Sequence, residues 1–138
     1  MSISSHWCVI CRRSGEELDH LFLHCTMAWQ LWASLTRELQ WIWVMPKTCE
    51  VIFDDASWDF RNSRRNVLWK SCSQSIVWGI WQERNARLFK GTFMNHEELW
   101  DGIRLNTAKW LSINKEFKQW GLNDLLNNWQ PILEGTLR

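Results

Sequence analysis

Four residues near the start of the chain constrain it most: Cys8 and Cys11 three positions apart, His20 nine positions further on, and Cys25 five after that. A closed structural zinc site takes four N or S ligands in a tetrahedron, and three cysteines with one histidine are a standard set. A Cys-x₂-Cys turn carries two thiolates to one ion from a single tight loop. A helix starting near Glu16 would present His20 and Cys25 about one turn apart. A lone Cys-x₂-Cys is a weak signal; followed by a His/Cys pair it becomes a strong one. The spacing therefore predicts Zn²⁺ held by Cys8, Cys11, His20 and Cys25. His24 is the competitor for the fourth position, since it lies four residues after His20 and would complete a Cys₂His₂ set. Cys25 is preferred because a thiol left beside zinc would compete well as thiolate. His6 is a weaker candidate, and a redox role for the Cys pair would need a βαβ context that the sequence lacks.

Beyond Cys25 the hydrophobic pattern is helical throughout. Trp29, Trp32 and Leu35 repeat at helical spacing over 26–39, and the stripe reads as core. Pro46 ends that pattern. Residues 50–58 read as a loop, with Asp54-Asp55 a solvated turn, and 59–63 as the polar lead into the next helix. From Arg64 to Phe89, Leu68, Cys72, Ile76 and Ile80 fall on one stripe, broadened by Trp69, Val77 and Trp81. Gly79 inside it predicts close approach of another helix, since Gly costs about 1 kcal/mol there against Ala. Gly91 sits where a C-terminal cap belongs. Asn95 and Glu98 have the spacing of a capping box, opening a helix that carries Leu99, Trp100, Ile103, Leu105, Ala108, Trp110 and Leu111 to about Phe117. A short helix over 122–129 closes the pattern before Pro131. The expected fold is all-α: one domain over 1–138, with a zinc knuckle at 6–25 leading into a small Trp-rich helical bundle at 26–130.

Composition narrows the function classes. Sixteen basic and fifteen acidic residues leave a formal charge of +1, so the whole chain is not a basic nucleic-acid binder. Thirteen tryptophans and no tyrosine are an extreme choice, and each buried indole needs a partner for its N–H. Five cysteines, an odd number with Cys49 and Cys72 far from the cluster, do not suggest a secreted disulfide framework. No secretory leader and no membrane-spanning run is read from the sequence. The expectation is an intracellular protein of the nucleus or cytoplasm. No phosphate loop, nucleophile elbow or paired catalytic carboxylates are found. A zinc with four protein ligands offers no position to water, so the expectation is a protein that is not an enzyme.

Two blocks carry a family resemblance. Cys8, Cys11, His20-Leu21-Phe22, Cys25 and Trp32 resemble the zinc-binding segment that follows the reverse transcriptase in plant LINE-type (non-LTR) retroelements. Trp81-Gln82-Glu83-Arg84-Asn85-Ala86-Arg87-Leu88-Phe89 is similar to the Trp-x₂-Arg-Asn-x₃-Phe block downstream of it. The resemblance covers most of residues 6–90. The reverse transcriptase and endonuclease of a complete retroelement protein are absent from this sequence. What the resemblance implies is a zinc-binding, non-catalytic nucleic-acid-binding module with RNA or single-stranded DNA as partner.

One local bias agrees with that. Between Arg61 and Lys90 stand Arg61, Arg64, Arg65, Lys70, Arg84, Arg87 and Lys90 against Glu83 alone, and basic residues so concentrated can follow a phosphate backbone. Of these, Arg61, Arg64, Arg65, Lys70, Arg87 and Lys90 are the candidate nucleic-acid contacts. Arg84 could instead be buried against a carboxylate such as Glu38 or Asp101. The bland reading of the rest is a solvated helix start and cations near a helix end. Trp7 could stack a base or cover the metal loop. The block around Trp81 reads as mainly structural. The competing function is a stand-alone helical protein-interaction domain, in which a Trp-rich surface binds a protein partner and zinc serves only the fold.

Overall fold

A computed structural model describes residues 7–12, 15, 17–40, 45–50 and 63–136. Expectations for His6 and for all of 51–62, Asp54-Asp55 and Arg61 among them, lie outside the described residues. The described chain is all-α, with the Cys/His cluster ahead of the helices. Its extended pairing is one isolated antiparallel bridge, Trp7 to Gly15, which closes the first loop.

A π-helical turn, His20–His24, comes first, then α1 (Thr26–Glu38). The sequence reading of a helix running on through Cys25 needs correcting, because Cys25 takes ψ 143° and separates the two. The long helix α2 (Ser63–Asn85) widens into a second π turn, Ala86–Lys90. Gly91, at φ 64°, stops it in the left-handed conformation that costs glycine little. In α3 (His96–Ser112) both hydrogen bonds of the capping box are present: Asn95 Oδ1 accepts from the Glu98 N–H at 2.8 Å, and Glu98 Oε1 from the Asn95 N–H at 3.3 Å. This helix stops at Ser112, short of the expected Phe117, and turns carry the chain to Gly121. Two short helices follow, α4 (Leu122–Asn127) and α5 (Trp129–Glu134), where one was expected. Pro131 does not end the pattern. It sits in the first turn of α5, where the missing N–H has no helical partner to lose.

The stripe on α2 lies where its spacing puts it. Leu68, Trp69, Cys72, Ile76 and Ile80 are all buried, facing Trp32, Leu35 and the inner side of α3. Gly79 explains how closely α2 and α3 approach: a Cβ there would meet Ile103 Cγ1 at 3.1 Å. Asn106 Nδ2 donates to Ser75 Oγ at 3.0 Å one turn along, so the two helices run antiparallel. Three residues read as core are not. Trp29, Trp110 and Leu105 stand on the outer faces of α1 and α3, and both tryptophans are 56% exposed. Helical spacing fixed the stripe but not its width, and these residues sit one step beyond its edge.

Candidate metal centre

The first two candidate ligands, Cys8 and Cys11, come from a tight loop. The Arg12 N–H donates to the Cys8 carbonyl at 2.8 Å, and Arg12 takes φ 57° to turn the chain back. The bridge from Trp7 to Gly15 fastens the loop at its base.

The other two come from the π turn, and its geometry is what brings them together. In an α-helix, residues five apart point about 140° away from each other around the axis. Here the Cys25 N–H bonds to the His20 carbonyl at 2.6 Å, an i→i+5 closure. The extra residue in the turn carries Cys25 back to the side of His20. Such a turn leaves carbonyls in need of donors, and Trp32 Nε1 supplies one to the Phe22 carbonyl at 2.7 Å. The sequence reading assigned an ordinary helix here. The signal for the wider turn was the five-residue spacing itself, which does not suit α geometry.

The ligand atoms of Cys8, Cys11, His20 and Cys25 all lie within 4.8 Å of one another, close enough to hold a metal ion. Cys8 Sγ and Cys25 Sγ are 3.9 Å apart, and Cys11 Sγ and His20 Nε2 3.2 Å. Zn–S bonds of about 2.3 Å in a regular tetrahedron would put two sulfurs about 3.8 Å apart, which the Cys8–Cys25 pair matches. His24 points elsewhere: it is exposed, with Nε2 3.1 Å from the Lys47 carbonyl.

Charge in the cluster is also arranged for a cation. Cys8 Sγ shares a hydrogen bond with Cys25 Sγ, and backbone N–H groups of Cys11 and Ile10 add to it. Against the opposing effect of burial, these bring Cys8 down from 9.0 to about 5. Cys25 is pushed well up, first by its hydrogen bond with Cys8, then by burial and by the charges on Cys8 and Cys11. A divalent ion between the sulfurs would remove that penalty and displace the Cys25 proton. The distant thiols differ. Burial raises Cys72 to about 12, and burial together with the neighbouring Asp19 raises Cys49 to about 12. Both are protonated at neutral pH, and neither joins the cluster.

The second sequence block is the seat on which this centre rests. Phe22 of the π turn packs against Trp81 with ring centroids 6.5 Å apart, and the Arg84 guanidinium lies 4.8 Å over the Trp81 ring. Trp81 itself is only half-buried, a correction to its assignment to the core. Arg87 reaches across to the metal loop. Its Nε pairs with Glu83 at 2.6 Å, its Nη1 donates to the Ile10 carbonyl at 3.2 Å, and its Nη2 donates to the Met94 carbonyl at 3.0 Å. Ile10 lies between the two loop cysteines, so Arg87 ties that loop to α2. Glu83, read from sequence only as the lone acid of a basic segment, is buried and also accepts the Met94 N–H at 2.9 Å.

The candidate nucleic-acid contacts are dispersed by the same packing. Arg64 stacks on Trp120 at 4.8 Å, and Arg65 donates to the Leu39 carbonyl at 3.1 Å, capping α1. Arg84 is buried, and Arg87 is only 10% exposed. Lys70 and Lys90 are exposed, and Trp7 is 67% exposed. No protein-family model, curated protein or solved structure matches this chain. Among the described residues, no helix is long and apolar enough to cross a membrane.

Proposed function

We propose that this chain is a zinc-pinned, non-catalytic binding module: the metal fixes the N-terminal loop to the bundle, and the bundle presents its surface to a macromolecular partner. The observation that carries this reading is the four-ligand cluster, with ligand atoms all within 4.8 Å of one another. Four protein ligands fill a zinc tetrahedron and leave no place for a reacting water. The test is X-ray absorption at the zinc edge of the purified protein. The expected shell is three sulfurs at about 2.3 Å and one nitrogen at about 2.0 Å. A shell containing a water oxygen would mean an open position and return the site to the catalytic class.

The use made of the arginines favours a protein partner. A side chain stacked on Trp120, or bonded to the Leu39 or Ile10 carbonyl, is already committed within the fold. The second reading is nucleic acid, implied by the resemblance to the plant LINE-type zinc-binding segment and favoured by the exposed Lys70 and Lys90. Binding of that kind would be electrostatic and weakly selective, falling steeply with salt. A fluorescence-anisotropy titration with single-stranded RNA at two salt concentrations separates the readings. The protein-partner reading expects no saturable binding at low salt. Salt-sensitive binding that weakens when Lys70 and Lys90 are changed to Ala would put nucleic acid first.

A further inference from the structure

Outside the metal centre, the described residues form a concavity between α2 and α3 on the outer side of the bundle. Two adjoining cavities of about 340 and 260 Å³ share Ser75, Trp78 and Asn106. Trp78 of α2 and Trp110 of α3 wall the smaller one, and each is 56% exposed. Gln74 and Gln82 stand one turn to either side of Trp78 on α2, both exposed and both lining. Gly102 lines the larger cavity from α3.

Gly102 is the informative residue. Glycine inside a helix costs about 1 kcal/mol against alanine. At Gly79 that cost has an internal cause, the contact with Ile103. At Gly102 a Cβ would meet nothing within 4 Å. Among the described residues nothing needs this glycine, whereas close approach of an outside backbone would.

Three properties choose the occupant. The lining has one lysine, Lys109, and one acid, Glu98, and a groove without excess positive charge gives a polyanion little to bind. Two indole walls between amide side chains suit flat apolar rings carried on a backbone with unmet hydrogen bonds. A helix satisfies its own carbonyls, so the amides of Gln74 and Gln82 would gain nothing from one. A polyproline II strand has no internal hydrogen bonds and offers every carbonyl. We propose that this groove binds a proline-rich segment of another chain in the polyproline II conformation. Proline rings would lie against Trp78 and Trp110, with strand carbonyls facing the glutamines. Residues 1–138 have only two prolines, and Pro131 is inside α5, so the segment does not come from within them. The proposal rests on the binding-module reading and names its partner.

The test uses the full zinc-loaded chain and a fluorescein-labelled ten-residue oligoproline, read by anisotropy. Wild type should bind saturably. Trp78→Ala removes an exposed wall and should weaken binding roughly tenfold or more, as loss of a tryptophan hot spot does. Gly102→Ala should also weaken binding while leaving the melting temperature unchanged or raised, an outcome that general loss of structure could not produce. Absence of saturable oligoproline binding overturns the proposal, as does undiminished binding by Trp78→Ala. It is equally overturned if labelled single-stranded RNA or an alanine-rich helical peptide binds and loses that binding in Trp78→Ala. If oligoproline fails while zinc remains in its three-sulfur, one-nitrogen shell, the groove assignment falls and the zinc-pinned module stands.

Discussion

Arg87 is the residue on which the metal loop and the bundle depend together. Its guanidinium holds Glu83, which is only 3% exposed at its side chain, and the Ile10 carbonyl between two metal ligands. Replacing it by alanine leaves the Glu83 carboxylate buried without its cation, a change that costs about 3 kcal/mol. Arg87→Ala should therefore lower stability in urea by about that amount and weaken zinc retention against a chelator. Glu83→Gln added to it should recover part of the stability, because the uncompensated charge is gone, without restoring zinc retention. If Arg87→Ala unfolds like wild type, the bridge is a surface contact of no consequence. The sequence showed Arg87 only as one of seven cations in a run. Its task depends on Ile10, 77 positions earlier, and no local pattern encodes a contact of that range.

Among the elements, α2 and α3 are set by a glycine and a cap. The two central glycines face opposite environments, and substitution should separate them. Gly79→Ala puts a Cβ 3.1 Å from Ile103 Cγ1. Overpacking of about 1–3 kcal/mol should exceed the gain in helix propensity, so the variant should be less stable. Gly102→Ala meets open space and should gain up to about 1 kcal/mol. Chemical denaturation of the two variants checks both signs, and a stabilised Gly79→Ala would mean that the helices are not packed as described. At this scale the sequence was legible wherever one residue type answers one backbone demand: Asn95 and Glu98 at the cap, Gly91 at the stop, Gly79 at the crossing. It was not legible where the demand is a matter of degree. Trp29 and Trp110 sit at the edge of their stripes, and periodicity alone does not say how far a neighbouring helix extends over them. The π turn was missed because propensity distinguishes helix from coil and says nothing of one residue more per turn.

In the whole molecule, the two sequence blocks that suggested a family meet in space. Phe22 lies on Trp81, and Arg87 holds the loop of Cys8 and Cys11. The clustering of Cys8, Cys11, His20 and Cys25 was legible because metal chemistry demands particular side chains at short spacing. The nucleic-acid surface was read from charge density along the chain, and the fold spends much of that charge internally. Cys8, Cys11, His20 and Cys25 are proposed to hold one zinc ion that fixes the loop onto the Trp-rich bundle, with which the π turn already shares a core. Elemental analysis combined with thermal melting in the presence of chelator tests it most directly. Wild type should carry one zinc per chain and Cys8→Ser none. Chelator should lower the wild-type melting temperature and leave most of the helical signal in place, because Trp32, Trp69 and the α2 stripe remain buried together. Protein purified without zinc, with a melting temperature that chelator does not change, would contradict it.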